Sequence, residues 1–270
     1  MGVAGGIKKD SILGTNRKKM KTVFITGASS GIGYACAEIF AKEKFNLLLA
    51  SRRVDRLHGI ATDLQNKYGV QIHAIGLDVR DKMLVQKVWD ELPDRWKNID
   101  VLINNAGLSR GLDPIEQGDT EDWESMIDTN VKGLLYVTRL VAPILKEKRQ
   151  GHIINIGSIA GKEVYPNGNV YCATKHAVDA LTKAMRIDLL PYNIKVTSVD
   201  PGAVETEFSI VRFKGDSERA KKVYEGFTPL TAEDVAEAIW FAASRPPHVN
   251  VNDLLLMPTA QATGTLFHKQ

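Results

Sequence analysis

The fold is decided by the stretch Thr22-Val23-Phe24-Ile25-Thr26-Gly27-Ala28-Ser29-Ser30-Gly31-Ile32-Gly33. Its first four residues are β-branched or aromatic, which favours a buried strand. Three glycines follow, and residues 35–44 then read as a helix. Glycine lets the backbone turn tightly and approach a phosphate, whose charge the amides at a helix N-terminus can bind. An ordinary strand-to-helix turn also uses glycine, but three at this spacing exceed what it needs, so we predict a dinucleotide-binding turn.

Further apolar runs alternate with amphipathic stretches along the rest of the chain. They lie at residues 45–50, 71–77, 100–103, 151–156 and 194–199, with a last candidate strand at 254–257. Strands that alternate with helices form a parallel sheet covered on both faces, and right-handed crossovers make it doubly wound. The 270 residues suffice for one large domain. We therefore predict an α/β fold, a single-domain Rossmann-type doubly wound parallel sheet over residues 21–270, with a C-terminal tail.

The net charge of +3 is concentrated at the N-terminus. Residues 1–20 contain five basic residues and one acidic residue, so they carry +4 and the remainder carries −1. This segment is rich in glycine and lacks periodicity, and we expect a disordered extension. The remainder offers no basic patch for nucleic acid. Binding of nucleic acid by the extension stays open as an alternative.

The composition also limits where the protein works. The aliphatic runs are too short and too interrupted by charge to span a membrane, and no apolar signal segment is present, so we expect a cytoplasmic protein without a membrane partner. Cys36 and Cys172 have neither disulfide nor zinc-site spacing, and we expect free thiols and no metal site.

Tyr171 and Lys175 form the first candidate for chemistry. They are four residues apart and share one face of a predicted helix, where the ammonium can lower the phenol pKa from its ordinary value of about 10 towards that of a usable base. Ser158 follows a buried strand, so its hydroxyl emerges at a strand end, where ligands bind in open α/β sheets. A tyrosine and a lysine one turn apart are common on amphipathic helices, so the pair gains meaning only beside the glycine turn.

The end of the second predicted strand indicates the cofactor. An acidic residue there would bind the ribose hydroxyls of NAD, but the sequence reads Ala50-Ser51-Arg52-Arg53. A hydroxyl and two guanidiniums suit the 2′-phosphate of NADP, and Arg52 is the stronger candidate. Alternatively, the arginines only cap a solvated loop.

Together these motifs resemble the short-chain dehydrogenase/reductase family. The resemblance rests, in this order, on TGxxxGxG from Thr26, Asn104-Asn105-Ala106-Gly107, Asn130, Ser158, YxxxK from Tyr171, and Pro201-Gly202. It covers roughly residues 21–258 and implies a Rossmann-type fold, a nicotinamide cofactor and a catalytic tetrad. The implied tetrad consists of Asn130, Ser158, Tyr171 and Lys175.

The glycine turn, the arginine pair and the resemblance together predict the cofactor contacts. Asp78 and Val79 are expected at the adenine, Val204 at the carboxamide and Thr206 at a phosphate. The complete predicted set is Gly27, Ser29, Ser30, Gly31, Ile32, Gly33, Ser51, Arg52, Arg53, Asp78, Val79, Asn105, Ala106, Gly107, Tyr171, Lys175, Pro201, Gly202, Val204 and Thr206. Asn104 and Asn105 could equally only stabilise a strand end.

The resemblance also implies a mechanism of hydride transfer. Tyr171 takes the proton of a secondary alcohol, Lys175 stabilises the phenolate and holds the nicotinamide ribose, and Ser158 binds the oxygen. Asn130 is expected within a long helix, where it either holds a water that links Lys175 to solvent or only kinks the helix.

Residues 205–226 are expected to decide the substrate. They include Val211-Arg212-Phe213-Lys214-Gly215-Asp216, which could form a lid whose basic groups bind a carboxylate, or a solvated helix. This phrase, residues 168–171 and the tail resemble the NADP-dependent 3-hydroxy acid dehydrogenase subgroup, which oxidises serine and allo-threonine. Lys162-Glu163-Val164-Tyr165 is bulky and charged, which departs from that pattern. The candidate substrate contacts are Ser158, Tyr165, Arg212 and Lys214.

Other functions share these residues. A reductase of 3-oxoacyl thioesters, sugars or steroids would use the same tetrad, and a non-enzymatic NADP sensor would use the same nucleotide turn. The helices that hold Asn130 and Tyr171 carry more apolar positions than one sheet-facing stripe needs. In the family these helices pair between subunits, usually in a homotetramer, so the resemblance implies a homotetramer, with a dimer as the alternative.

Overall fold

The computed structural model describes residues 20–270, so all but the last residue of the predicted N-terminal extension lies outside the described residues. Seven strands form one sheet, and every pairing between them is parallel. The strands are β1 Thr22–Thr26, β2 Asn46–Ser51, β3 Ile72–Gly76, β4 Val101–Asn104, β5 Gly151–Ile156, β6 Ile194–Pro201 and β7 Asp253–Leu256. Their spatial order is β3-β2-β1-β4-β5-β6-β7, which confirms the predicted fold class.

Helices cover both faces of the sheet. They are α1 Gly31–Lys42, α2 Val54–Tyr68, α3 Lys82–Glu91, α4 Asp94–Lys97, α5 Thr120–Ile127, α6 Leu134–Lys148, α7 Asn169–Leu189, α8 Phe208–Arg212, α9 Ser217–Lys222 and α10 Ala232–Ser244. The apolar sides of α1, α2 and α10 form one core layer, and those of α3, α6 and α7 form the other. Strands buried on both faces read as continuous apolar runs, which explains why the sequence located them.

The switch point of the sheet lies at β1, which pairs with β2 on one side and with β4 on the other. Ile25 is opposite Leu49 in β2 and Ile103 in β4. From β1 the sheet grows through β2 and β3 on one side and through β4 to β7 on the other. The connections that follow the strands therefore diverge here, and a crevice opens beyond the carboxyl end of β1, where the glycine turn begins.

Two local features differ from the sequence expectations. Helix α1 begins at Gly31 rather than at residue 35. The helix predicted around Asn130 is divided, because Asp128–Gly133 forms a π-helical segment between α5 and α6. Such segments are frequent at functional sites.

None of the helices described between residues 20 and 270 is long and apolar enough to cross a membrane. Over the same range, no group of three or more His, Cys, Asp and Glu side chains could hold a metal ion.

Candidate active site

A cleft of about 360 Å³ opens at the carboxyl ends of the strands, on the switch point. It is lined by the glycine turn, by the loops after β2 to β6, and by α7 and α8. All predicted cofactor contacts except Gly33 line it, as do Ser158, Tyr171 and Lys175. Residues far apart in sequence therefore meet in one cavity that is large enough for a small-molecule site.

The glycines of the turn have separate roles. Gly27 and Gly31 have positive φ angles of 67° and 51°, which residues with a side chain rarely adopt. A Cβ on Gly33 would lie 2.3 Å from the carbonyl oxygen of Gly27, so Gly33 allows α1 to pack against the turn. Ser30 makes no side-chain cap to α1, and the first helical turn contains no acidic residue. The amides at this N-terminus are therefore suited to an anionic phosphate.

Asn104 and Asn105 mainly hold the loops that form the cleft. The side-chain amide of Asn104 is buried and donates to Thr138 and Asn155. The amide of Asn105 donates to the carbonyls of Thr26 and Gly27, at 2.9 and 3.2 Å. Asn104 thus has the strand-stabilising role, whereas Asn105 fixes the glycine turn and also faces the cleft.

The arginines after β2 face the glycine turn across the mouth of the cleft. Arg53 donates to the hydroxyls of Ser29 at 3.1 Å and Ser30 at 2.6 Å, and pairs with Glu207 at 2.8 Å. Arg52 is exposed and also lines the cleft. Two guanidiniums beside an uncapped helix N-terminus fit a phosphorylated dinucleotide. Arg53, rather than Arg52, is the one already held in place.

Asp78 and Val79 form the wall on the β3 side. Asp78 pairs with Arg80 at 2.6 Å, and hydrogen bonds from that arginine keep the pKa of Asp78 below its usual value. Val79 packs against Gly133 of the π-helical segment, where a Cβ would lie 2.6 Å from a Val79 methyl. The opposite wall contains Pro201, Gly202, Val204 and Thr206.

Ser158, Tyr171 and Lys175 meet on the floor of the cleft. Lys175 donates a 2.8 Å hydrogen bond to the carbonyl of Ile156, and its ammonium lies 5.9 Å from the centre of the Tyr171 ring. Ser158 Oγ accepts from the amide of Ala160 at 3.1 Å, which fixes the serine at the start of a short 3₁₀ turn. All three residues are buried.

The pKa values of Tyr171 and Lys175 differ from what the sequence led us to expect. Burial raises the pKa of Tyr171, and the groups that oppose the rise are Arg212 and Ser158. Burial also lowers the pKa of Lys175 to about 8, against the opposing effect of Asp200. The expected lowering of the Tyr171 pKa by Lys175 is therefore not found in this arrangement: burial raises that pKa, and Lys175 is not among the groups that shift it.

Asn130 lies beside this group without lining the cleft. Its side-chain oxygen accepts from the amide of Leu108, and its amide donates to the Leu108 carbonyl and to Thr174 Oγ1, at 2.8 to 3.0 Å. These bonds join the π-helical segment to the loop after β4 and to α7. These bonds use both amide hydrogens of Asn130 and one of the two lone pairs of its side-chain oxygen.

Arg212 lies over the ring of Tyr171. Its guanidinium carbon is 5.1 Å from the centre of the Tyr171 ring. Nε donates to Ser109 at 3.0 Å and one Nη to Tyr165 at 3.0 Å. A guanidinium has five donors, so this arrangement fixes its orientation and leaves further donors for an anionic ligand. Tyr165 supports Arg212 instead of lining the cleft.

Neither Arg212 nor Lys214 is among the residues that line the cleft. Lys214 also has different partners from Arg212. It pairs with Asp119 at 3.0 Å and with the buried Asp122 at 2.8 Å, and it does not line the cleft. The structure therefore does not bring Lys214 to the other candidate substrate contacts. The segment 205–226 does cover part of the cleft, through Phe208 and Val211.

Sequence analysis missed two residues that contact the predicted site residues, Ser109 and Glu207, because neither belongs to a motif. Ser109 lies just beyond the motif that ends at Gly107 and binds Arg212 across 103 positions of the chain. Glu207 pairs with both Arg53 and Arg56. An exposed glutamate and a loop serine are unremarkable in sequence, and only their distant partners identify them.

Comparison with known proteins agrees with this geometry. A family model described as short chain dehydrogenase matches residues 21–216. The chain is 46% identical over 245 residues to an NADP-dependent 3-hydroxy acid dehydrogenase of Salmonella typhi, covering 90% of this chain and 97% of the relative. It is 47% identical over 241 residues to sulfoacetaldehyde reductase 2 of Chromohalobacter salexigens, covering 89% and 95%. A solved structure of the closed form of a serine dehydrogenase complexed with NADP+ superimposes with a TM-score of 0.85 at 43% identity, covering 92% of this chain and all of the other.

Proposed function

This chain belongs to the short chain dehydrogenase family, and we propose that it transfers hydride between NADP and the 3-hydroxyl of a small 3-hydroxy acid such as serine or allo-threonine. It is an oxidoreductase that acts on CH–OH groups. The observation that carries the choice of substrate is the position of Arg212 over Tyr171, within reach of one small molecule. In a 3-hydroxy acid one carbon atom separates the carboxylate from the carbon that loses hydride, and that carboxylate would bind the guanidinium of Arg212.

The residues around the cleft support NADP as the cofactor. The amides at the start of α1 suit its pyrophosphate, and Arg53 and Arg52 suit its 2′-phosphate. When bound, NADP supplies the acceptor for the hydride. The same residues give no acidic partner for the ribose of NAD at the end of β2.

We propose the following roles for the side chains at the cleft floor. Ser158 and Tyr171 hold the substrate hydroxyl, and Tyr171 accepts its proton as hydride leaves the carbon. Lys175 stabilises the phenolate form of Tyr171 that must be present before this transfer, and Asn130 holds the loop after β4 and helix α7 in register. Arg212 orients the substrate by its carboxylate, which reduces the loss of entropy in the reacting complex. Reduction uses the same groups in reverse.

The test is the initial rate of formation of reduced nicotinamide, followed by absorbance, with the purified chain and NADP or NAD. The substrates are L-serine, L-allo-threonine, 3-hydroxybutyrate, its uncharged methyl ester and a plain secondary alcohol. We expect turnover with NADP and the acids, and a much higher KM for the ester. Equal kinetics with acid and ester would refute carboxylate recognition and favour a reductase of another carbonyl class. Cofactor binding without any turnover would favour the sensing alternative.

A second anionic substrate class is favoured by one of the relatives. The sulfoacetaldehyde reductase is as similar to this chain as the 3-hydroxy acid dehydrogenase is. A sulfonate presents oxygens that a guanidinium can bind as it binds a carboxylate. Reduction of sulfoacetaldehyde with NADPH, compared with reduction of a 3-oxo acid at the same concentration, separates the two: the higher kcat/KM identifies the class.

The quaternary structure and location form part of the same proposal. We propose a homotetramer, supported by large apolar side chains exposed on α6 and at the end of α7, at Leu135, Ile187 and Leu190. Light scattering of the purified chain measures the mass directly, and a monomer would refute it. A cytoplasmic location is supported by two buried free cysteines, Cys36 and Cys172, and is tested by cell fractionation.

A further inference from the structure

Lys162 lies close behind the catalytic serine, and its side chain turns away from the cleft. The chain forms a 3₁₀ turn at Ile159–Gly161 directly after Ser158, and Lys162 follows with its amide bonded to the carbonyl of Ile159 at 2.9 Å. Lys162 does not line the cleft. The bulky charged residue at this position therefore does not limit the size of the substrate.

The ammonium of Lys162 joins three elements that build the site. It binds Asp179 on α7, the helix that carries Tyr171 and Lys175. It lies 3.4 Å from Asp200 at the end of β6 and 3.3 Å from Asp253 at the start of β7. Since Lys162 itself belongs to the loop of Ser158, one cation connects that loop with the tyrosine helix and with the strand that leads into Pro201-Gly202.

Asp200 is the most constrained member of this cluster. It is only 1% exposed, and its Oδ1 accepts from Ser198 at 2.8 Å. A Cβ on Gly157 would lie 1.8 Å from that oxygen, so the carboxylate packs directly against the residue before Ser158. Burial raises the pKa of Asp200, and Ser198 and Lys162 oppose the rise. The Asp200 charge in turn opposes the lowering of the Lys175 pKa.

We propose that Lys162 and Asp200 form a positioning pair for the reaction proposed above: the pair fixes Ser158 relative to Tyr171 and supports the charge of Lys175 from behind the site. Lys162 opposes the rise that burial causes in the Asp200 pKa and so favours the ionised carboxylate. Asp200 then favours the protonated form of Lys175, which is the form that stabilises a phenolate. The other charged groups around the ammonium are Asp179, Lys183 and Arg186 on α7 and Asp253 on β7.

The test compares Lys162→Met with the matched control Lys183→Met. Lys183 binds the same Asp179 at 2.6 Å but is paired with no other member of the cluster among the described residues. With Lys162→Met we expect kcat to fall about tenfold with little change in the KM for NADP, because the serine loop is displaced while the nucleotide turn is not. We also expect the alkaline limb of the kcat profile to move to lower pH, because a neutral Asp200 no longer supports the ammonium of Lys175. Lys183→Met should change neither quantity.

Two further variants keep the test decisive. Lys162→Arg retains the charge and should restore most of kcat, which a loss of packing alone would not explain. Asp200→Asn keeps the shape of the side chain and should move the alkaline limb in the same direction even if Lys162→Met fails to fold. Equal profiles for Lys162→Met and Lys183→Met, or an unmoved limb in Asp200→Asn, would overturn the proposal. Turnover by the unmodified chain is measured first, so an inactive parent would count against the proposed function and not against this pair.

Discussion

The guanidinium of Arg53 lies 2.8 Å from the carboxylate of Glu207, and this ion pair joins the loop after β2 to the segment that covers the cleft. Arg56 binds the other carboxylate oxygen at 2.7 Å. Hydrogen bonds from both arginines lower the pKa of Glu207 to about 2, so the glutamate is charged throughout the usable pH range. The proposed 2′-phosphate of NADP and Glu207 thus compete for one guanidinium.

Removal of the Glu207 charge should strengthen NADP binding. We expect Glu207→Gln to bind NADP about two- to fivefold more tightly at low salt, since each half-exposed pair contributes only about 0.2–1 kcal/mol. The difference should shrink at high salt. Titration calorimetry gives the affinities, with Glu205→Gln as a control that removes an equal charge two residues away. Unchanged affinity at low salt would show that Glu207 does not compete.

The two arginines after β2 should set the preference for NADP to different degrees. Arg53→Met is expected to weaken NADP binding about 10- to 100-fold, because charge-assisted hydrogen bonds to the 2′-phosphate are lost. NAD binding should stay nearly unchanged. Arg52→Met should have the smaller effect, because Arg53 alone is held by Ser29 and Ser30. The ratio of kcat/KM for the two cofactors is the measurement. A larger loss in Arg52→Met would restore the order expected from sequence.

Arg212 and Lys214 offer a direct comparison of two neighbouring cations. Arg212→Met should raise the KM for a 3-hydroxy acid about 10- to 100-fold and leave that for its methyl ester unchanged. Lys214→Met should leave both values unchanged, since Lys214 is bound by Asp119 and Asp122 outside the cleft. Steady-state kinetics with the acid and with the ester give the KM values of both variants. A specific effect of Lys214 on the acid would contradict this assignment.

Lys175 should lower the free energy of unfolding, although the proposed activity requires it. Its pKa falls from 10.5 to about 8, equivalent to roughly 3 kcal/mol, and Lys175→Met removes that penalty while losing one hydrogen bond worth about 1 kcal/mol. We expect an inactive variant about 2 kcal/mol more stable at pH 7. The folded-state pKa is lowered, so the penalty is complete below pH 8 and disappears as the pH rises towards 10.5. Urea unfolding at several pH values checks this, and an advantage that grew with pH would refute it.

The third glycine of the turn should tolerate no side chain. In Gly33→Ala the new methyl would meet the carbonyl of Gly27 at 2.3 Å, and we expect a loss of stability of about 1–3 kcal/mol together with weaker NADP binding. Gly59 in α2 has no atom within 4 Å of its Cβ position, so Gly59→Ala should stabilise the chain by about 0.5–1 kcal/mol. Thermal unfolding of the two variants measures the expected loss of stability in Gly33→Ala and the expected gain in Gly59→Ala. A stable Gly33→Ala would show that α1 can move away from β1.

The sequence located each strand to within about two residues. The five central strands are almost entirely buried and therefore read as continuously apolar runs, whereas the edge strands β3 and β7 are partly exposed. The sequence also placed the glycine turn, Ser158, Tyr171 and Lys175 correctly in one cleft, because spacing on a helix and position at a strand end follow from local geometry. The direction in which the Tyr171 pKa is shifted was not predictable in this way. Its pKa depends on burial and on Arg212, which lies 41 positions further along the chain.

By itself, then, the sequence determined the alternation of strands and helices along the chain, the glycine turn after β1 and the positions of Ser158, Tyr171 and Lys175 beside it, since these depend on residue type and short-range spacing. Only the tertiary structure decided which of two adjacent arginines is held at the glycine turn, which of Arg212 and Lys214 lies over the Tyr171 ring, and where the ammonium of Lys162 points. Each of these side chains is long and charged. Its position is set by carboxylates, hydroxyls and aromatic rings from distant parts of the chain, and no local pattern records those partners.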